Sequence, residues 1–325
     1  MAIIRYYMKP LMLICVICQF TTASWAQSYP AKVIRYLVPA SSGSTSDILG
    51  RIMAERLSAI FGQQVIVDNR PGAGNNIGAE IAAKAPPDGY TLLQAATSHV
   101  VNISLYSNLA YDLVRDFAPV TQLASVPAVI VVHPSLPVKS LSDLVKLAKA
   151  KPGAIRYSSA GVGTSTFLVP EFLKKQAGID MLHVPYRGAS GAITAVISGE
   201  TSVYFSPIAP MLPLVREGRL RALAVTAAKR LPMLPECPTI AQAGYPGFQA
   251  TNWYGLMVPV NTPKTTIATI HDGVISVLNN PDVSKRLGDL GFVSISSTPE
   301  EFAAQIKSDI ERLGKIMREY RVTAH

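Results

Sequence analysis

Cysteine is scarce in this 325-residue chain: Cys15 and Cys18 fall in an apolar N-terminal stretch, and only Cys237 lies beyond it. One cysteine cannot form an internal disulfide framework, so the fold must be held by its core. Long apolar runs are also missing. Past Phe20 no stretch approaches the ~20 residues of a membrane-spanning helix without a charge, a proline or a glycine. Histidines are few, and His99, His133, His183 and His271 include no pair at helical metal-ligand spacing, which argues against a zinc site. No G-x-S-x-G elbow occurs. In PGAGNNIG the spacing of Gly72, Gly74 and Gly78 is wrong for a dinucleotide loop and Pro71 stands at its start, so the segment reads as a structural turn. Basic residues outnumber acidic ones by 30 to 21 but are scattered and have no interleaved aromatics, which excludes nucleic acid as the natural partner.

The N-terminus reads as an export signal. Arg5 and Lys9 precede the apolar run Leu11 to Phe20, and small residues at Ser24 and Ala26 fit a peptidase site, so residues 1–26 are expected to be removed. Ten apolar residues are too few for a membrane anchor. Isoleucine before each early cysteine does not fit a lipoprotein. The remaining 299 residues carry a net charge of +7 and reach the size at which one core divides in two.

Short β-branched runs alternate with helical stretches from Val33 onward, which predicts an α/β fold with doubly wound sheets. Strands are expected at 33–38, 65–68 and 90–94, with helices at 47–61 and 77–85 between them. Two β-rich pieces, 120–123 and 128–132, flank Pro127 and read as a connection out of this first lobe. A second set follows: a helix at 141–150 with Ser140 as N-cap and Asp143 completing a capping-box-like pair, a helix at 191–198, and strands at 155–158, 181–186, 201–205 and 220–226. A return strand at 253–258 and a final helix opened by Thr298, Pro299, Glu300 and Glu301 complete the pattern. Residues 27–124 and 253–325 are therefore expected to form lobe I, and residues 125–252 lobe II, with two crossings as a hinge.

Two stretches carry the chemistry. In VPASSGSTSDILGR (38–51) a strand runs into hydroxyls and glycine and a helix opens at once. YSSAGVGTSTFL (157–168) repeats the arrangement. Such turns aim backbone N–H groups and a helix N-terminus at one small volume, which suits an anion. Either alone is an ordinary helix start. Two at equivalent strand ends suggest facing cradles for a carboxylate. The candidate ligand-binding residues are Ala40, Ser41, Ser42, Gly43, Ser44 and Thr45 in the first cradle. Ser159, Ala160, Gly161, Gly163, Thr164 and Ser165 form the second, and Ser98 and Ser206 stand at further strand ends. Asp47 is assigned to helix capping at the site. No metal or cofactor is expected. Catalysis by a cradle serine would need a base within hydrogen-bond reach, and no marked candidate lies near either loop in sequence.

Taken in order, the blocks VPASSGSTSD, VDNRPGAGNNIGAE, PPDGYTLL, DFAPVTQLASVPAVIVVHPS, YSSAGVGTS, HVPYRG, GRLRALAVT and WYGLMVP resemble the Bug family, the periplasmic solute receptors of tripartite tricarboxylate transporters. The resemblance covers essentially the whole mature chain. It implies a type II periplasmic-binding-protein fold, two α/β lobes joined by two crossover segments and closing on a small organic carboxylate. Ala40 through Thr45 and Ser159 through Ser165 would hold the proximal carboxyl group through backbone N–H groups and waters. It further implies a periplasmic receptor that delivers its ligand to membrane transporter subunits; a monomer is expected, since nothing in the sequence demands a dimer. The alternatives are an exported enzyme acting on a carboxylated substrate and a sensory receptor. Departures from the family pattern are Ser41 and Ser42 where prolines are usual, Ser44 for glycine, Thr166 and Phe167 for Pro and His, and Ser206 for Asp. Loss of the acid and gain of Phe167 favour a di- or tricarboxylate or an aromatic carboxylate over an amino acid.

Overall fold

The computed structural model describes residues 29–248 and 250–320, and the expected signal at 1–26 lies outside the described residues. The chain opens with β1 (Ile34–Val38), α1 (Thr45–Phe61), β2 (Val65–Asn69), α2 (Asn76–Ala83), β3 (Thr91–Ala96) and α3 (Thr97–Leu105). The long strand β4 (Phe117–Val132) follows. Then come α4 (Leu141–Ala150), β5 (Arg156–Ser159), α5 (Ser165–Ala177), β6 (Leu182–Pro185), α6 (Ala189–Ser198), β7 (Val203–Pro207), α7 (Leu212–Arg216) and β8 (Arg221–Val225). The chain returns through β9 (Thr251–Pro259) and ends in α8 (Lys264–Leu278), α9 (Pro281–Asp289), β10 (Val293–Ser294) and α10 (Pro299–Tyr320).

The strands form one curled sheet in the order β2-β1-β3-β9-β4-β7-β5-β6, with β8 and β10 paired to β4 off that path. β1 pairs in parallel with β2 and β3, and β5 pairs in parallel with β6 and β7, so each lobe has its own doubly wound core. β4 joins them. Its residues Phe117 to Pro127 run antiparallel to β9, whereas Ala128 to Val132 run antiparallel to β7. The two β pieces expected around Pro127 are thus one strand of 16 residues. Proline survives inside it because it stands where the strand leaves one sheet for the other, away from a fully bonded interior position.

Local rules explain many of the boundaries. Ser140 caps α4 by accepting from the Asp143 N–H at 3.1 Å, while the Asp143 carboxylate accepts from Lys139 N–H rather than closing a reciprocal box on Ser140. Thr298 and Glu301 do close such a box at the start of α10, at 2.9 and 3.1 Å. Along α10 the buried face carries Phe302, Ile306, Leu313 and Met317. Trp253 of β9 meets Phe302 edge-on and donates its indole N–H to buried Asp309 at 2.8 Å. That tie fixes the last helix to the return strand. The apolar core of lobe II is built on Ile130, Leu144, Tyr157, Leu173 and Phe205.

Candidate functional site

The strand ends and helix starts of both lobes meet at one cleft of about 590 Å³, its open mouth included. From lobe I it is lined by Ala40, Ser44, Thr45 and Ser46 at the start of α1, by Pro71, Gly72 and Asn75, and by Ala96 and Ser98 at the end of β3. Lobe II contributes Ala160, Thr164, Ser165 and Thr166 at the start of α5, Gly188 and Ala189 at the start of α6, and Tyr204, Ser206, Pro207 and Pro210. Asn252 and Tyr254 of β9 complete it. None of these side chains is an acid, a lysine, an arginine or a histidine.

The two helix starts are built alike. At α1, Ser44 is the N-cap and its hydroxyl accepts from Asp47 N–H at 3.2 Å. The positive φ the turn requires falls on Gly43 (+76°), while Ser44 keeps an ordinary φ of −73°, so a serine can replace glycine there without strain. The Asp47 carboxylate accepts from Gly43 N–H and Arg51 Nε, each at 2.9 Å, as the capping assignment requires. Burial works to raise the Asp47 pKa, but hydrogen bonds from Arg51 and Gly43, with Asn69 nearby, outweigh it and hold the carboxyl below its usual value. Asn69 holds the Ala40 carbonyl at 3.0 Å, and buried Gln94 holds the Ser46 carbonyl at 2.9 Å. The loop is therefore fixed from outside the cleft.

At α5 the hydroxyls hold the loop themselves. Ala160 N–H donates to Thr166 Oγ1, which lies 2.8 Å from Thr164 Oγ1, and Thr164 donates to the Gly161 carbonyl at 2.6 Å. Because Thr164 spends its one proton on Gly161, the Thr166 proton must run to Thr164. The N–H groups of Thr45 and Ser46 in α1, and of Ser165 and Thr166 in α5, are the first two of each helix and have no acceptor among the described residues. Four neutral donors and two helix N-termini thus face one cleft.

The lobes touch across the cleft. Tyr106 donates to the Val162 carbonyl at 3.1 Å, and Ser190 N–H donates to Ser41 Oγ at 3.2 Å. Gly163 packs so closely on Asn102 that a side-chain carbon there would overlap Asn102 Oδ1. This is a closed arrangement.

Of the residues singled out from sequence, Ala40, Ser44, Thr45, Ser98, Ala160, Thr164, Ser165 and Ser206 line the cleft. The others stand behind or beside it. Ser41 bridges to Ser190, Ser42 and Gly43 face Asp47, and Gly161 and Gly163 shape the second loop. Ser159 is fully buried, with its Oγ 2.6 Å from His183 Nε2, so a base does lie within reach of a cradle serine. Neither group lines the cleft. His183 is stacked on Tyr157, with ring centroids 4.9 Å apart, and burial pushes its pKa down to about 4. Phe167 packs on the same imidazole and not in the cleft, so its ring does not make the cavity more apolar. Sequence reasoning missed Tyr204, Asn252 and Tyr254, although Tyr204 with Ser206, and Asn252 with Tyr254, share a strand face by alternation. It also read PGAGNNIG only as a turn. Pro71, Gly72 and Asn75 of that turn form one wall.

The family described as "Tripartite tricarboxylate transporter family receptor" matches residues 49–322. This chain belongs to that family. A curated relative from Pseudomonas sp. strain P51, named for the tcbD-tcbE intergenic region, is 37% identical over 306 residues, covering 94% of this chain and 91% of that protein. The structure of R. palustris Rpa4515 with adipate superposes with a TM-score of 0.87 at 32% identity, covering 90% of this chain and 98% of that one. MatC from Rhodopseudomonas palustris with bound malate gives 0.84 at 28% identity, covering 89% and 99%. The receptor family consists of periplasmic solute-binding proteins, so the chain is a solute-binding protein and not an enzyme.

Proposed function

We propose that this receptor is exported to the periplasm through a signal at residues 1–26, acts as a monomer, captures a small organic carboxylate between its lobes and delivers it to a tripartite membrane transporter. The observation that carries the reading is the set of four unbonded N–H groups at two facing helix starts, in a cleft lined by no charged side chain. Neutral donors and helix dipoles hold a carboxylate without a buried cation that would need its own partner. The adipate and malate of its relatives are of this class. The lobes we assign are residues 27–124 with 253–325, and residues 125–252; the change of partner along β4 at Pro127 and Ala128 supports that division. The hydroxyl and glycine positions of both loops serve as ligand donors or as their support. The absence of an acid at Ser206 favours di- or tricarboxylates over ligands bearing an ammonium group.

A thermal-shift screen of the purified protein over a carboxylate panel that includes adipate and malate tests this. A ligand at 100 times its Kd adds about 2.7 kcal/mol of apparent stability. A shift with recovery of the compound unchanged is expected. No shift across the panel, or chemical turnover of a bound compound, would sink the reading.

A further inference from the structure

Several buried polar side-chain atoms have no partner among the described residues: on Asp47, Arg56, His99, Asn102, Thr201, Tyr204 and Ser294. Six of these residues do not line the cleft. Tyr204 lines it. Its side chain is fully buried on β7 and yet its hydroxyl makes no hydrogen bond, although Ser206 and Thr166 lie beside it. Neither neighbour is free to rearrange at no loss. Ser206 donates to the Pro207 carbonyl at 2.9 Å, and Thr166 is committed to Ala160 and Thr164. A buried hydroxyl left unpaired costs stability, so its persistence in a cleft asks for an acceptor from outside the chain.

We propose that Tyr204 is a ligand-binding and specificity-determining residue whose phenol O–H donates to a carboxylate oxygen of the ligand, beside the two free N–H groups at the start of α5. The proposal rests on the carboxylate-receptor reading and names one residue of its site. The placement follows from Thr166, which both neighbours the phenol and supplies one of those N–H groups. Burial also raises the pKa of Tyr204, so the group keeps its proton and remains a donor throughout the physiological range. A phenol that keeps its proton can donate to a carboxylate oxygen without charge repulsion, in accord with a cleft whose other lining groups include no acid.

The test is Tyr204→Phe, which removes one oxygen and keeps the ring. Calorimetric titration with adipate, malate and whichever other panel carboxylates shift the wild-type protein is expected to show affinity about 10- to 100-fold weaker in the variant, the loss of one buried bond to a charged acceptor. The ligand-free variant should melt at the same temperature as the wild type or a few degrees higher, because an unpaired donor has gone. A structural role would lower that melting point instead. Ligand should also perturb the near-ultraviolet tyrosine absorption of the wild type by more than that of the variant. Equal affinity in the two proteins would overturn this proposal alone and leave the receptor reading intact, as would a variant that loses affinity only because it has lost stability. Failure of every panel carboxylate to bind the wild type would overturn both.

Discussion

Gly163 concentrates the demands of the closed cleft at one residue. Its φ of +86° lies in the left-handed region, and any side chain there would overlap Asn102 across the lobes. At Gly161, with φ +118°, an added side-chain carbon would meet nothing closer than the Tyr186 carbonyl at 3.5 Å, so conformation alone constrains it. Gly163→Val is expected to weaken carboxylate binding by about 10- to 100-fold, measured by titration, since strain of 1–3 kcal/mol and overlap both oppose closure. Its ligand-free melting temperature should fall by only a few degrees. If affinity survives, the second loop does not govern closure. The glycine and hydroxyl content of both loops was legible in the sequence because helix starts carry a local signature. Tyr204, Asn252 and Tyr254 were not, because a strand residue declares its face by alternation but not which cavity that face closes.

Among the elements, those with local signals at their ends agree best with the sequence. α4 begins after Ser140 as its cap predicts, and α10 opens at its Thr-Pro-Glu-Glu start. α3 gives no clear sequence signal, and its burial explains why: it turns Ser98, His99 and Asn102 inward to hold cleft loops beside buried Val100 and Val101, so polar and apolar residues share its buried side. Asn102, for instance, donates to the Gly74 carbonyl at 2.8 Å and to Asn76 at 2.9 Å. α1 shows how a cap can serve two purposes. Ser44→Ala removes the acceptor for Asp47 N–H and should cost about 1 kcal/mol in a denaturant titration. Because that cap also orients Thr45 and Ser46 at the cleft, affinity should fall with it. A stability loss with unchanged affinity would separate the two roles and show that the helix start is not needed in this orientation.

At the scale of the whole molecule, acid should unfold the protein in two stages with distinct origins. His99 is fully buried and its pKa is pushed down from 6.5 to about 4 by that burial; His183 moves the same way. The unfolded chain binds these protons near pH 6.5 and the folded chain does not, so stability is complete above that pH and declines as pH falls towards 4. The His99 contribution is on the order of 3 kcal/mol. Asp47, whose pKa is depressed, contributes fully above about 3.8 and loses its part only below that value. Melting temperatures between pH 7 and 4 should therefore fall, and His99→Gln should flatten the decline; an unchanged slope would remove His99 as its cause. The two-lobe plan could be read from the alternation of strands and helices, whereas the continuity of β4 could not, because Pro127 imitates a break. That continuity has a mechanical consequence. A ribbon bonded to β9 and β10 along its first part and to β7 and β8 along its last cannot act as a loose joint. Opening must twist it elastically, so the strand stores part of the work of opening and returns it as recoil, with a travel limited by how far a sheet can be wrung before its ladder parts.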